Sequence, residues 1–252
     1  MKREKLPMGE SIKGVPAMKN GGIMPIHRLK KDDWMWLFTH HCKHGHRYTE
    51  HYSCYLADYP NMVHPSALVE KVGFLDIETS NLDANFGIIL TYCIKVGGKK
   101  TILTGQVNGK DIAKYPSDKT DTRVVQSLVT DMLKFDRIVT HYGSRFDIPF
   151  IRTRALYDGV DFPQFGSIRQ DDTWIMARHK LKLNSNRLET IARTILGSSD
   201  KTHLEFKYWI AATRGDEKAI AYILQHNKFD VTDLEKIWLK LRGFSRFTCT
   251  SI

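Results

Sequence analysis

The chain has 252 residues, 42% of them hydrophobic and 26% charged, which excludes a wholly disordered polymer and suits one full-sized domain with an extension. Four cysteines, Cys42, Cys54, Cys93 and Cys249, are too few for a disulfide framework, and no apolar run approaches the ~20 residues of a membrane span. The formal net charge of +10 points to a polyanionic partner or simply to a solvated basic surface, and less to a membrane, because no basic amphipathic helix stands out.

The N-terminus, MKREKLPMGE, lacks the apolar stretch of a signal peptide, so a soluble, intracellular protein is expected. Residues 1–24 are rich in Gly, Lys and Met without a period and read as an extended arm. Residues 1–51 hold ten Lys/Arg against five Asp/Glu. Contacts from such an arm would go to phosphates and carry little sequence information. From Asp32 to Tyr59 the chain is crowded with aromatic, His and Cys residues, and Pro60 and Pro65 mark a boundary after it. The expected division is a basic arm and Cys/His-rich extension over 1–68, followed by an α/β domain over 69–252.

Within that domain, Lys71 to Glu78 (KVGFLDIE) reads as a buried strand. Phe86 to Val96 and Lys100 to Thr104 read as two more, joined by a turn at Gly97-Gly98. Apolar spacing predicts a helix over Asp121 to Phe135 and a short strand over Arg137 to His141. A helix over Phe146 to Leu156 follows, with Pro149 in its first turn. Leu188, Ile191, Ala192 and Ile195 fall at helical spacing in Arg187 to Leu196. Gly215-Asp216 is a stop followed by an N-cap, and helical signal then runs to about Leu241. A β-meander followed by helices predicts a mixed sheet flanked by helices.

Three acidic signals lie on these elements. Asp76 and Glu78 in DIE alternate along a strand and therefore share one face. Side by side they repel unless a cation lies between them; otherwise they are solvated acids at a strand end. Asp147, in HYGSRFDIPFI, falls in the first turn of a helix, where an acid is also favourable for its own sake. His226 and Asp230, in HNKFD, are four apart on one helix face whose stripe continues into Leu234, Ile237 and Leu241. A polar pair continuing a buried stripe needs a metal, a substrate or a hydrogen-bond partner; a surface His–Asp pair is the ordinary alternative.

Taken in order, DIETSNL, HYGSRFD and HNKFD resemble the three motifs of the DEDD superfamily of 3′–5′ exonucleases, over about Val69 to Gly243. DIET and SRFDIPFI are similar in wording to the proofreading domains of family B DNA polymerases and related predicted exonucleases. That branch usually carries Tyr in the third motif. Here His226 stands at that position, which is the DEDDh pattern, and Tyr222 lies one turn earlier at a spacing that does not fit.

The resemblance implies a ribonuclease H-like α/β fold, a mixed five-stranded sheet flanked by helices. It implies two Mg²⁺ or Mn²⁺ ions held by Asp76, Glu78, Asp147 and Asp230, with His226 as general base. The substrate would be the 3′ end of single-stranded DNA or RNA. Leu82, just after the first motif, would pack against the terminal base. Arg145, Arg152 and Arg154 flank the middle motif, on a solvated helix face or facing phosphates; Arg145 is the substrate-binding candidate. The alternative reading is a catalytically inactive ribonuclease H-like module that only binds nucleic acid.

His40, His41, Cys42, His44, His46, His51 and Cys54 crowd a short segment of the extension. Zinc favours Cys and His in tetrahedral sites, and Cys42, His46, His51 and Cys54 would supply one. The spacing matches no standard finger. The alternative is that Trp34, Trp36, Tyr48, Tyr52 and Tyr55 pack on the domain and the histidines are incidental.

Overall fold

The computed structural model describes residues 39–46, 70–197, 205–244 and 252. The chain divides into two compact units, Met1–Glu70 and Lys71–Ile252. The basic arm, His51 and Cys54 lie outside the described residues.

The larger unit is built on five strands: β1 (Val72–Thr79), β2 (Ile89–Val96), β3 (Ile102–Gln106), β4 (Arg137–Thr140) and β5 (Arg169–Asp172). Their order across the sheet is β3-β2-β1-β4-β5. The first three form an antiparallel meander, and β4 and β5 add in parallel on the other side of β1. β1 is thus central and can be buried on both faces, as its apolar character requires. The helices are α1 (Gly109–Lys114), α2 (Thr122–Met132), α3 (Asp147–Tyr157), α4 (Thr173–Lys180), α5 (Leu188–Leu196), α6 (Phe206–Thr213) and α7 (Glu217–Leu241).

Alternation along β1 sorts the core into two layers. Leu75 and Ile77 pack with Val125 and Leu128 of α2 and Ile148 and Ile151 of α3. Phe74 faces the opposite way and packs with Met176 of α4, Ile191 of α5 and Val231, Leu234 and Ile237 of α7. The result is the mixed, helix-flanked five-stranded sheet of a ribonuclease H-like fold.

Two predicted strands start late, and one strand was not predicted. β2 begins at Ile89 rather than Phe86, because Phe86 N–H and Gly87 N–H both donate to the Asp83 carbonyl and close a turn there. β3 likewise begins at Ile102, beyond the tight Val96–Thr101 turn in which Gly98 takes a φ of +69°. β5 reads RQDD and has no apolar alternation to reveal it. Polar bonds hold it instead: fully buried Arg137 on β4 pairs with Asp171 at 2.6 Å, and Trp238 Nε1 of α7 donates to the same carboxylate at 2.8 Å. At the start of α7, Asp216 accepts from Lys218 N and Ala219 N as the predicted N-cap, and the helix runs unbroken for 25 residues.

Candidate active site

The alternation that sorts the core also aims the acids. Asp76 and Glu78 share the face of Phe74, the face that α7 covers, while Leu75 and Ile77 enter the other layer. On α7, Asp230 directly precedes Val231, which is packed in that layer, so the acid is carried to β1 by the helix's own apolar stripe. Carboxylate oxygens of Asp76, Glu78 and Asp230 consequently lie within 4.8 Å of one another. Asp230 is buried, and the two acids of β1 are half-buried. Three carboxylates so close repel unless a cation lies among them. An all-oxygen, all-anionic donor set fits a hard divalent ion such as Mg²⁺ or Mn²⁺.

Asn227 fixes the relation between strand and helix. It is fully buried, one turn before Asp230, and its Nδ2 donates to the main-chain carbonyl of Asp76 at 3.2 Å. The bond joins the residue bearing the first acid to the helix bearing the last. Asn227 lies on the same helical stripe as Asp230, Leu234, Ile237 and Leu241, which is the sequence signal for this position.

Asp147 reaches the site by a different route. β4 pairs with β1 only as far as Phe74, so β1 runs on with one backbone edge uncovered. Asp147, opening α3, fills that gap: its Oδ1 accepts from Ile77 N at 3.1 Å, between the two acids of β1. It is not one of the three within 4.8 Å. Burial pushes its carboxyl up from the ordinary range to about 7, and the charge of Asp172 adds to the rise.

Asp172 also shapes the loop that delivers Asp147. Its carboxylate accepts from Tyr142 N at 2.9 Å, from Ser144 N at 3.0 Å and from Ser144 Oγ at 2.6 Å, while capping α4 through Trp174 N at 2.9 Å. The loop is tight enough that Tyr142 takes a φ of +65°, unusual for a residue with a side chain. A Cβ on Gly143 would meet the Thr140 side chain at 2.4 Å, so glycine is required there. Asp172 is not among the residues expected from sequence; its one signal there is that of an Asp N-cap directly before Thr-Trp-Ile-Met. Trp174 then becomes the centre of an aromatic and basic cluster. Tyr142 forms a T-shaped pair with it, ring centroids 5.1 Å apart, and the guanidinium groups of Arg145 and Arg178 lie 5.9 and 5.1 Å from its ring.

His226 is buried on α7, its ring T-shaped to that of Tyr222 with centroids 4.9 Å apart; Tyr222 in turn packs on Tyr208 at 4.4 Å. Tyr222 is therefore a packing partner of the imidazole. Leu82, in the loop that follows β1, is 79% exposed, and Phe86 in the same loop is 78% exposed.

Arg154 corrects both sequence expectations, because it meets neither phosphate nor solvent. It is buried and grips Asp121 through Nε and Nη2 at 3.0 and 2.5 Å. Arg152 is exposed and lies 5.2 Å over the Phe162 ring. Cys93 sits opposite Asp76 in the β1–β2 register. Burial, and then the Asp76 charge, push its thiol far above the usual range, so it is an inert core residue rather than a nucleophile.

Comparison with known proteins agrees with this architecture. No curated protein matches the chain. Among solved structures it is similar to the family B DNA polymerase from the hyperthermophilic archaeon Pyrobaculum calidifontis, with a TM-score of 0.55 at 18% identity. The match covers 69% of this chain and 25% of that polymerase, so it is a likeness of fold over a small part of a larger protein. A family model described as the RNase_H superfamily matches residues 73–242, a span that takes in the five strands, but for the first residue of β1, and every acid of the candidate site. The chain belongs to the RNase H superfamily.

Proposed function

We propose that this protein is a metal-dependent 3′–5′ exonuclease acting on single-stranded DNA or RNA ends. Membership of the RNase H superfamily supports a nuclease-type, nucleic-acid-processing domain. The observation that carries the finer reading is the convergence of Asp76, Glu78 and Asp230 within 4.8 Å from opposite ends of the domain.

These three acids would hold a divalent ion, Mg²⁺ or Mn²⁺, and Asp147, bonded between the two acids of β1, would help hold a second. Bound there, such ions supply an activated water at neutral pH and charge stabilisation of the leaving oxygen. The remaining work falls to the chain. A ring nitrogen of His226 accepts the proton of the attacking water, and Tyr222 steadies the imidazole by its edge contact. Asn227 holds Asp76 and Asp230 in register. Leu82, exposed beside the first motif, offers an apolar surface to the terminal base. Trp174 with Arg145 and Arg178 offers stacking and positive charge to the strand behind it, the combination that single-stranded nucleic acid favours.

The test is degradation of labelled linear and circular DNA and RNA single strands in Mg²⁺ and in Mn²⁺. A ladder that shortens from the 3′ end, with circles intact, is the expected result. Opening of circles would instead mean endonucleolytic cleavage, and binding without cleavage in either metal would mean an inactive module; each defeats the proposal.

A further inference from the structure

The smaller unit carries a second set of metal-ligand side chains, with soft donors rather than hard ones. Residues 42–46, Cys-Lys-His-Gly-His, close a tight turn. Cys42 N–H donates to the His46 carbonyl at 2.9 Å, and Gly45 N–H donates back to the Cys42 carbonyl at 2.8 Å. Gly45 takes a φ of +84°, which turns the chain without the strain a side chain would add. The two ends of the turn therefore meet, and Cys42 Sγ stands 3.7 Å from His46 Nδ1. Two donors on one tetrahedral zinc, with Zn–S about 2.3 Å and Zn–N about 2.0–2.1 Å, are separated by about 3.6 Å.

His44 adds a third donor. One ligand atom from each of Cys42, His44 and His46 lies within 4.8 Å of the others. Cys42 is buried, whereas both imidazoles are exposed and can turn toward an ion. Cys42 is a thiol and not half of a disulfide.

We propose that Cys42, His44 and His46 form a zinc site, in which the Cys42 thiolate and one nitrogen of each imidazole bind a single Zn²⁺ and a water or a further ligand takes the fourth tetrahedral position. Binding releases the Cys42 thiol proton to solvent. His44 thus joins Cys42 and His46 in the ligand set, while His51 and Cys54, grouped with them from sequence, lie outside the described residues. The Cys/His donor set distinguishes the ion from the one expected at the carboxylates, since thiolate and imidazole select zinc.

The full chain, purified without added metal, is analysed for zinc beside its Cys42→Ser, His44→Ala and Asp230→Asn variants. About one zinc per chain is expected in the wild type and in Asp230→Asn. Cys42→Ser should lose it, and His44→Ala should bind it at least about tenfold more weakly. Cobalt added to chelator-treated protein should give a thiolate-to-cobalt charge-transfer band in the wild type and in a Cys54→Ser, Cys249→Ser variant, which keeps Cys42 as the ligand under test even if Cys42→Ser fails to fold. Zinc that disappears with Asp230→Asn and survives Cys42→Ser would overturn the proposal, by assigning the metal to the carboxylates. Absence of both zinc and the cobalt band would overturn it too, leaving only a thiol–imidazole hydrogen bond. The readout is metal content and a spectrum, so it stands whether or not the chain proves to be a nuclease.

Discussion

The carboxylate site and the Cys/His turn gather their donors in opposite ways. Asp76 and Asp230 are brought together by a sheet, a 25-residue helix and the apolar layer between them. Cys42 and His46 are brought together by two main-chain hydrogen bonds within five residues. The first arrangement is a property of the core, and anything that loosens the core disperses it. The second is a property of a local turn, and its donors stay neighbours through contacts within five residues. Donor chemistry follows the same division. Three clustered anions are held in place against their repulsion by the fold, whereas a thiol and two imidazoles meet without such a penalty.

The largest test of this contrast is removal of an acid. Asp76→Asn or Asp230→Asn should reduce nuclease activity to background while zinc content is unchanged. Near-normal turnover of either variant in Mg²⁺ would refute the ligand assignment. Next in size, His226→Ala should slow turnover by about 10²–10⁴-fold, the usual cost of losing a general base. Tyr222→Phe keeps the ring edge against His226 and should change much less; if it proved the more damaging of the two, the assigned roles would have to be exchanged.

A core change probes the dependence on packing. Leu234 is buried in the layer that seats α7, so Leu234→Ala should cost about 2–5 kcal/mol of stability in denaturant unfolding. Zinc bound by the smaller unit should persist under mild conditions; loss of zinc in step with activity would show that the two sites are not independent. A smaller effect is expected at the aromatic cluster. Trp174→Ala should weaken single-strand binding, measured on an Asp76→Asn background, by about 1–3 kcal/mol. Unchanged binding would remove this cluster from the substrate path.

The last prediction concerns pH. Burial raises the Asp147 carboxyl from 3.8 to about 7. Between those values the folded, metal-free protein keeps a proton that the unfolded chain has released. The resulting stability is present in full below about 4 and is lost as pH rises through about 7. Thermal unfolding in chelator across this range should show that decline, and Asp147→Asn should flatten it. A slope that survives the substitution would locate the titrating group elsewhere.

Much of the fold was legible because its signals are local and periodic. Leu75 and Ile77 alternating with Asp76 and Glu78 identify β1 and predict a shared face for the acids. Asp216 identifies the start of α7. Other features carried no such period. β5 is polar in every position; it pairs with β4, and its Asp171 accepts from Arg137 of β4 and Trp238 of α7. Arg154 looked like a surface cation beside the middle motif, and only the approach of Asp121 from 33 residues away makes it a core ion pair. Tyr222 stands one turn before His226 in the sequence at a spacing that does not fit the third motif, and only tertiary packing puts its ring against both the imidazole and Tyr208 of α6.

By itself, the sequence determined the RNase H-superfamily pattern, the order of the acidic motifs and the face on which each acid lies, because strand and helix periods dictate side-chain direction. Tertiary structure alone decided which acids meet. Asp76, Glu78 and Asp230 converge because the apolar layer between β1 and α7 draws the helix onto the strand. Asp147 stands beside them, bonded to Ile77, because β4 ends early and leaves an unpaired backbone N–H for a carboxylate to satisfy. Convergence depends on distances between elements far apart in the chain, and no local period encodes those distances.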